Sequence, residues 1–222
     1  MSNLMDFVGG GGSSSYALII DTSTTWTCPE DGIYTIALIG SGYGGGSAYN
    51  CQNCANGGAS SGIKIINLNL SKNEQVVVTI GAGGAGATGG QRSNAPGGNT
   101  SFGSYISCAS GENGNGSIPH NAWNTSVEFT VDNALLSNIV GFALPIKTKS
   151  GSGAGSGNGS NGSSGGSGGF GGNGGAAGNN GGQNGQGYGA GGGAGGSTVS
   201  TPYSGSKGGN GASGACIIVK IN

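Results

Sequence analysis

Two stretches carry residue types at spacings that could do chemistry. Gly40-Ser41-Gly42-Tyr43-Gly44-Gly45 has the form G-x-G-x-x-G and follows an apolar run, Ile33 to Ile39. Glycines at that spacing let a backbone turn tightly and approach a pyrophosphate, which a helix N-terminus then holds. The other half of that fingerprint is missing. No amphipathic helix opens after Gly45, and Ile63 to Asn69, about 20 residues on, offers no Asp or Glu for a ribose. The match reads as coincidence in a glycine-rich chain. Cys51-Gln52-Asn53-Cys54 is the second stretch, since C-x-x-C serves zinc sites and redox pairs. A structural zinc takes about four ligands, but Cys28, Cys108, Cys216 and His120 stand singly. No metal site is assigned, and Cys51 and Cys54 stay open between free thiols, a loop disulfide and metal ligands. Catalysis through His120 would need an acid to orient the imidazole, and Gly116 to Asn121 supplies none. The expectation is a protein that is not an enzyme and needs no cofactor.

The elements that would position such residues read as strands. Tyr16 to Ile20, Thr24 to Cys28, Ile33 to Ile39, Gly62 to Leu70 and Gln75 to Ile80 are β-branched or alternating runs bounded by Gly, Ser, Asn or Pro. Thr100 to Phe102, Tyr105 to Cys108, Ser126 to Val131 and Ala215 to Ile221 extend the series. Pro29 to Gly32 reads as a turn and Lys72-Asn73 as a hairpin tip. Asn133 to Val140 is the one helix candidate, too short to stand alone. The terminal apolar run follows a glycine-rich stretch and needs a sheet to pair with. The chain is therefore expected to return to its β core.

Composition narrows the function classes. Net charge is -1 and only 7% of residues are charged, so neither nucleic acid nor an anionic membrane surface is an expected partner. No segment approaches signal-peptide or transmembrane length and hydropathy, so no membrane insertion is expected and the product should fold in a cytoplasm. Residues 1–15 read as an attachment peptide followed by a Gly/Ser hinge, or as a frayed end, ahead of one glycine-rich β domain over 16–222.

Glycine supplies 56 of the 222 residues, against only 5 prolines, which excludes collagen but not other extended glycine helices. Residues 150–214 form a glycine-rich insert with a three-residue period: Gly165-Gly166-Ser167, Gly168-Gly169-Phe170, Gly171-Gly172-Asn173, Gly174-Gly175-Ala176, and again Gly205, Gly208, Gly211, Gly214. At a rise of about 3.1 Å per residue, Gly165 to Ala176 would reach roughly 37 Å, with glycine edges along which backbones can touch. Ordering costs about 1 to 2 kcal/mol per residue, and each hydrogen bond returns about 0.5 to 1.5. Order therefore requires several such helices packed together and anchored to a sheet; a disordered linker is the alternative.

Cys28 to Tyr34, Ile39 to Gly46, Asn73 to Gly84, Gly97 to Gly103 and Gly214 to Val219, in that order, resemble the glycine-rich domain of bacteriophage tail-fibre and tail-tip proteins. The resemblance implies an all-β fold, a jelly-roll-like β sandwich holding an insert of polyglycine II-type helices. It also implies a non-catalytic virion protein of the tail, acting as a receptor-binding adhesin. A purely structural virion protein that docks other tail or capsid components is the alternative. The implied partners are a host cell-surface saccharide or outer-surface protein and other tail proteins, with a homotrimer as the expected assembly. Receptor contacts are expected from aromatics in glycine-rich loops, Tyr43, Tyr49, Phe170, Tyr188 and Tyr203, for which local packing is the competing role.

Overall fold

In Gln75–Thr79 the even-numbered valines, Val76 and Val78, are buried while Gln75, Val77 and Thr79 face out, the two-residue period of a half-buried strand. Repeated along the chain, this pattern builds two antiparallel sheets. The computed structural model describes residues 4–6, 16–47, 57–89, 95–111, 181–196 and 205–221. Among them run β1 (Leu4–Asp6), β2 (Tyr16–Ile20), β3 (Thr24–Thr27), β4 (Gly32–Ile39), β5 (Ile63–Leu70), β6 (Gln75–Thr79), β7 (Thr100–Phe102), β8 (Ile106–Cys108) and β9 (Ala215–Ile221). One sheet has the order β1-β2-β9-β4-β5 and the other β3-β6-β7-β8. The described part is all-β and sandwich-like, with no helix.

The sheets enclose one core. Leu18, Ile20, Tyr34, Ile36, Leu38, Leu70, Cys216 and Ile218 from the first sheet meet Trp26, Val76, Val78, Phe102 and Cys108 from the second. Trp26 is its centre, with Tyr34 edge-on at 5.6 Å and Phe102 tilted at 5.8 Å between ring centroids. The tyrosine hydroxyl is satisfied where the core meets the surface, donating to the Glu30 carbonyl at 2.9 Å. The last strand, β9, lies between β2 and β4, its Cys216 level with Ile20 on one side and Leu38 on the other.

The expected hairpin tip meets a different arrangement. Lys72-Asn73 is a turn, with Asn73 at φ 66, but it is not a hairpin tip, because β5 and β6 belong to different sheets. What fixes it is long-range. The Asn73 N–H donates to the Cys28 carbonyl and the Cys28 N–H to the Glu74 carbonyl, both at 2.8 Å, so the turn extends the β3–β6 ladder around a corner. Lys72 N–H adds a bond to Asp31 Oδ1 at 2.8 Å. The leader, read as an attachment peptide, contributes β1, which pairs with β2 at the edge of the larger sheet. The readings of Ser126 to Val131 as a strand, of Asn133 to Val140 as a helix and of the period in 165–176 lie outside the described residues.

The larger sheet is apolar on its second face too. Ala37, Ile39, Ile63, Ala215 and Ile217 form a separate buried cluster, against which Ile19, Ile65, Val219 and Tyr188 pack. Tyr188 comes from the glycine-rich region and packs on this face beside Asp21, which follows β2, so this ring fastens that region to the sheet. Burial and then Asp21 raise the phenol's pKa above its usual value. Tyr188→Phe keeps the ring and removes the hydroxyl that interacts with Asp21. The expected cost is about 0.5 to 1.5 kcal/mol in urea unfolding, with the far-UV spectrum unchanged.

Candidate functional site

From the end of β4 the chain enters a glycine-rich array in which the backbone itself is the binding partner. Residues 40–47 are buried throughout. Gly42 N–H donates to Ala212 (2.8 Å), Tyr43 to Ala59 (3.0 Å), Gly44 to Ala95 (3.1 Å), and Gly45 returns to the first neighbour at Gly209 (2.8 Å). Successive amides thus point to three different segments, and the direction repeats after three residues. A strand alternates between two directions, and an α-helix bonds within itself. The carbonyls are also taken: Gly42 accepts from Gly84, Tyr43 from Gly192, Gly45 from Ala87 and Gly46 from Gly195, at 2.8 to 3.0 Å.

The neighbours bond one another at the same step. Gly208, Gly211 and Gly214 donate to Ala87, Gly84 and Gly81, each at 2.9 Å, while Gly209 and Ala212 donate to Gly193 and Ala190. Burial follows the step: Gly81, Gly84 and Ala87 are buried, and Ala82, Ala85 and Thr88 are exposed. Segments this close exclude side chains. A Cβ on Gly42 would overlap the carbonyl oxygen of Ala190.

At the array's exposed side, amide side chains replace absent neighbours. Asn210 Oδ1 accepts the Gly86 N–H at 2.9 Å, and Asn184 Oδ1 accepts the Asn210 N–H at 2.8 Å. These two residues were not singled out from the sequence. Their signal is position: each precedes a glycine and stands at an exposed step of the array. Because water can replace an exposed acceptor, Asn210→Ala should lower stability by no more than about 1 kcal/mol, yet speed hydrogen exchange at Gly86 severalfold.

This geometry decides the first chemical motif. The N–H groups of Gly40, Gly42, Tyr43, Gly44 and Gly45, five of the six in the G-x-G-x-x-G segment, donate to carbonyls, Gly40 to Gly62 at 3.3 Å, so the segment is not an open cradle of amides for a phosphate. Of the aromatic candidates, Tyr43 is buried, with 7% of its surface exposed, and does not stand out of a loop. Burial raises its phenol pKa. Tyr188 is half-buried over the larger sheet. The array therefore does not bring these two rings together on a surface. Tyr49, Phe170, Tyr203, Cys51, Cys54 and His120 lie outside the described residues. Cys28, Cys108 and Cys216 are buried free thiols, and among the described residues no group of three His, Cys, Asp or Glu could hold a metal.

A sandwich-like β core joined to a backbone-bonded glycine array defines a glycine-rich β protein whose special feature is main-chain packing. The chain belongs to the family described as Glycine-rich domain, whose profile matches residues 18–220. No curated protein matches it.

Proposed function

We propose that this protein is a non-catalytic bacteriophage tail-fibre or tail-tip protein that binds a host cell-surface saccharide or outer-surface protein. On this reading its array is a bundle of polyglycine II-type helices on a jelly-roll-like sandwich. The observation that carries the proposal is the use of the backbone: Gly42 and Gly45, Gly84 and Ala87, and Gly208, Gly211 and Gly214 donate to carbonyls of one another's segments at a three-residue step. Three residues per turn without internal hydrogen bonds is the geometry of extended glycine helices. A bundle of this kind is stiff and nearly free of charge. It suits the presentation of loops to a partner better than proton transfer.

Purified, fluorescently labelled protein incubated with a panel of bacterial strains tests the reading. Strain-selective binding, reduced at least about tenfold by joint replacement of Phe170, Tyr188 and Tyr203 with Ala in a chain that still folds, is the expected result. Binding to no strain would overturn it. Deleting all of 150–214 is a poor control. Gly209 and Ala212, which accept from Gly45 and Gly42, would leave with it, so loss of binding would report unfolding.

A further inference from the structure

Among the described residues the array contains two complete Asn-Gly dipeptides, Asn184-Gly185 and Asn210-Gly211, and both asparagines are exposed. In a flexible chain this dipeptide is the one most prone to modify itself. The glycine amide nitrogen, unhindered by a neighbouring side chain, gives its proton to water or hydroxide and attacks the asparagine Cγ. The Cγ–Nδ2 bond breaks, ammonia leaves and a five-membered succinimide forms. Water then opens the ring at one of its two carbonyls, leaving aspartate or isoaspartate. Isoaspartate carries an extra methylene in the main chain.

The reaction needs a free glycine N–H and a side-chain carbonyl able to swing onto it. Here both are held. The Gly211 N–H donates to the Gly84 carbonyl at 2.9 Å, and the Gly185 N–H to the Asn210 carbonyl at 2.8 Å. The asparagine side chains are turned the other way, Asn210 Oδ1 toward the Gly86 N–H and Asn184 Oδ1 toward the Asn210 N–H. Burial does not provide the protection, because water reaches both side chains. The hydrogen-bonded main chain does.

We propose that Asn184-Gly185 and Asn210-Gly211 are latent succinimide-forming sites that the array keeps silent, so that opening of the array is recorded there irreversibly. A methylene added at position 210 puts the N–H groups of Gly211 and Gly214 out of step with the carbonyls of Gly84 and Gly81. An array that has opened and reacted cannot close with its original bonds. The inference holds whatever the protein binds.

The full chain, incubated in mildly alkaline buffer either folded or unfolded in urea at matched pH and temperature, gives the test. Peptide mass spectrometry reads deamidation at the two sites, and hydrogen exchange reads the amides of Gly185 and Gly211. The folded chain is expected to deamidate at least about tenfold more slowly at both sites, with slow exchange at both glycines. Equal rates in the two states would overturn the proposal. So would slow deamidation in a folded chain whose Gly185 and Gly211 amides exchange as fast as in urea, since protection would then not come from the array's bonds.

Discussion

Replacing Gly42 with Ala is expected to lower the unfolding free energy by about 3 kcal/mol or more, whereas Gly62→Ala should change it by no more than about 0.5. Both glycines flank strands and carry the same chemistry, so composition cannot separate them. Their surroundings do. A Cβ on Gly42 would overlap the Ala190 carbonyl oxygen and lie 3.0 Å from the Gly191 nitrogen, whereas one on Gly62 meets nothing within 4 Å. The obstacle at Gly42 is main chain and has no rotamer to escape into. Moving it apart breaks bonds in several directions, because Gly42 donates to Ala212 and accepts from Gly84, and Ala190 accepts from Ala212. Urea unfolding of the two variants gives the comparison, and hydrogen exchange at Gly84 and Ala212 localises the damage. Equal stabilities would mean that the central segment is not held at the spacing described.

How much of this could be read in the sequence depended on whether side chains carried the signal. The strands were legible because Val76 and Val78 alternate with the outward Gln75, Val77 and Thr79, and because β4 is a near-continuous apolar run buried on both faces. The turn at Lys72-Asn73 was legible as a turn but not as a corner between sheets. The same residues serve either purpose, and the choice lies with Cys28, far away in sequence. In the array, the step of Gly205, Gly208, Gly211 and Gly214 was visible, and the last three supply N–H groups at that step. What stayed hidden was that residues 40–47, 57–61 and 81–89, outside the insert, join the same array. Segments with so few side chains carry no hydrophobic period, and their partners are chosen by backbone geometry. Tyr43 was open in the sequence between a ring standing out of a loop and local packing; its side chain is buried and its peptide lies at the array's centre, bonded to Ala59 and Gly192.

The Cys216 thiol should be labelled by alkylating reagents about a thousandfold more slowly in the folded protein than in the unfolded chain near pH 8. Cys216 is fully buried between Ile20 and Leu38, and burial pushes its pKa from the usual 9.0 up to about 12. The thiolate is the reactive form, so burial removes it almost entirely at neutral pH. The same shift fixes the sign of a stability change. Above about pH 9 the unfolded chain releases this proton and the folded one keeps it, so stability contributed by the neutral thiol is complete below that pH. It then declines by about 1.4 kcal/mol per pH unit until the folded thiol itself titrates near pH 12. Cys108 and Tyr34 act in the same direction, each raised first by burial, the tyrosine also by the neighbouring Cys28. The expected profile in urea is therefore flat in the neutral range and falls on the alkaline side, with Cys216→Ala removing part of the slope. A Cys216→Ala protein whose alkaline limb is as steep as that of the unaltered chain would assign the decline to Cys108 and the tyrosines Tyr34, Tyr43 and Tyr188.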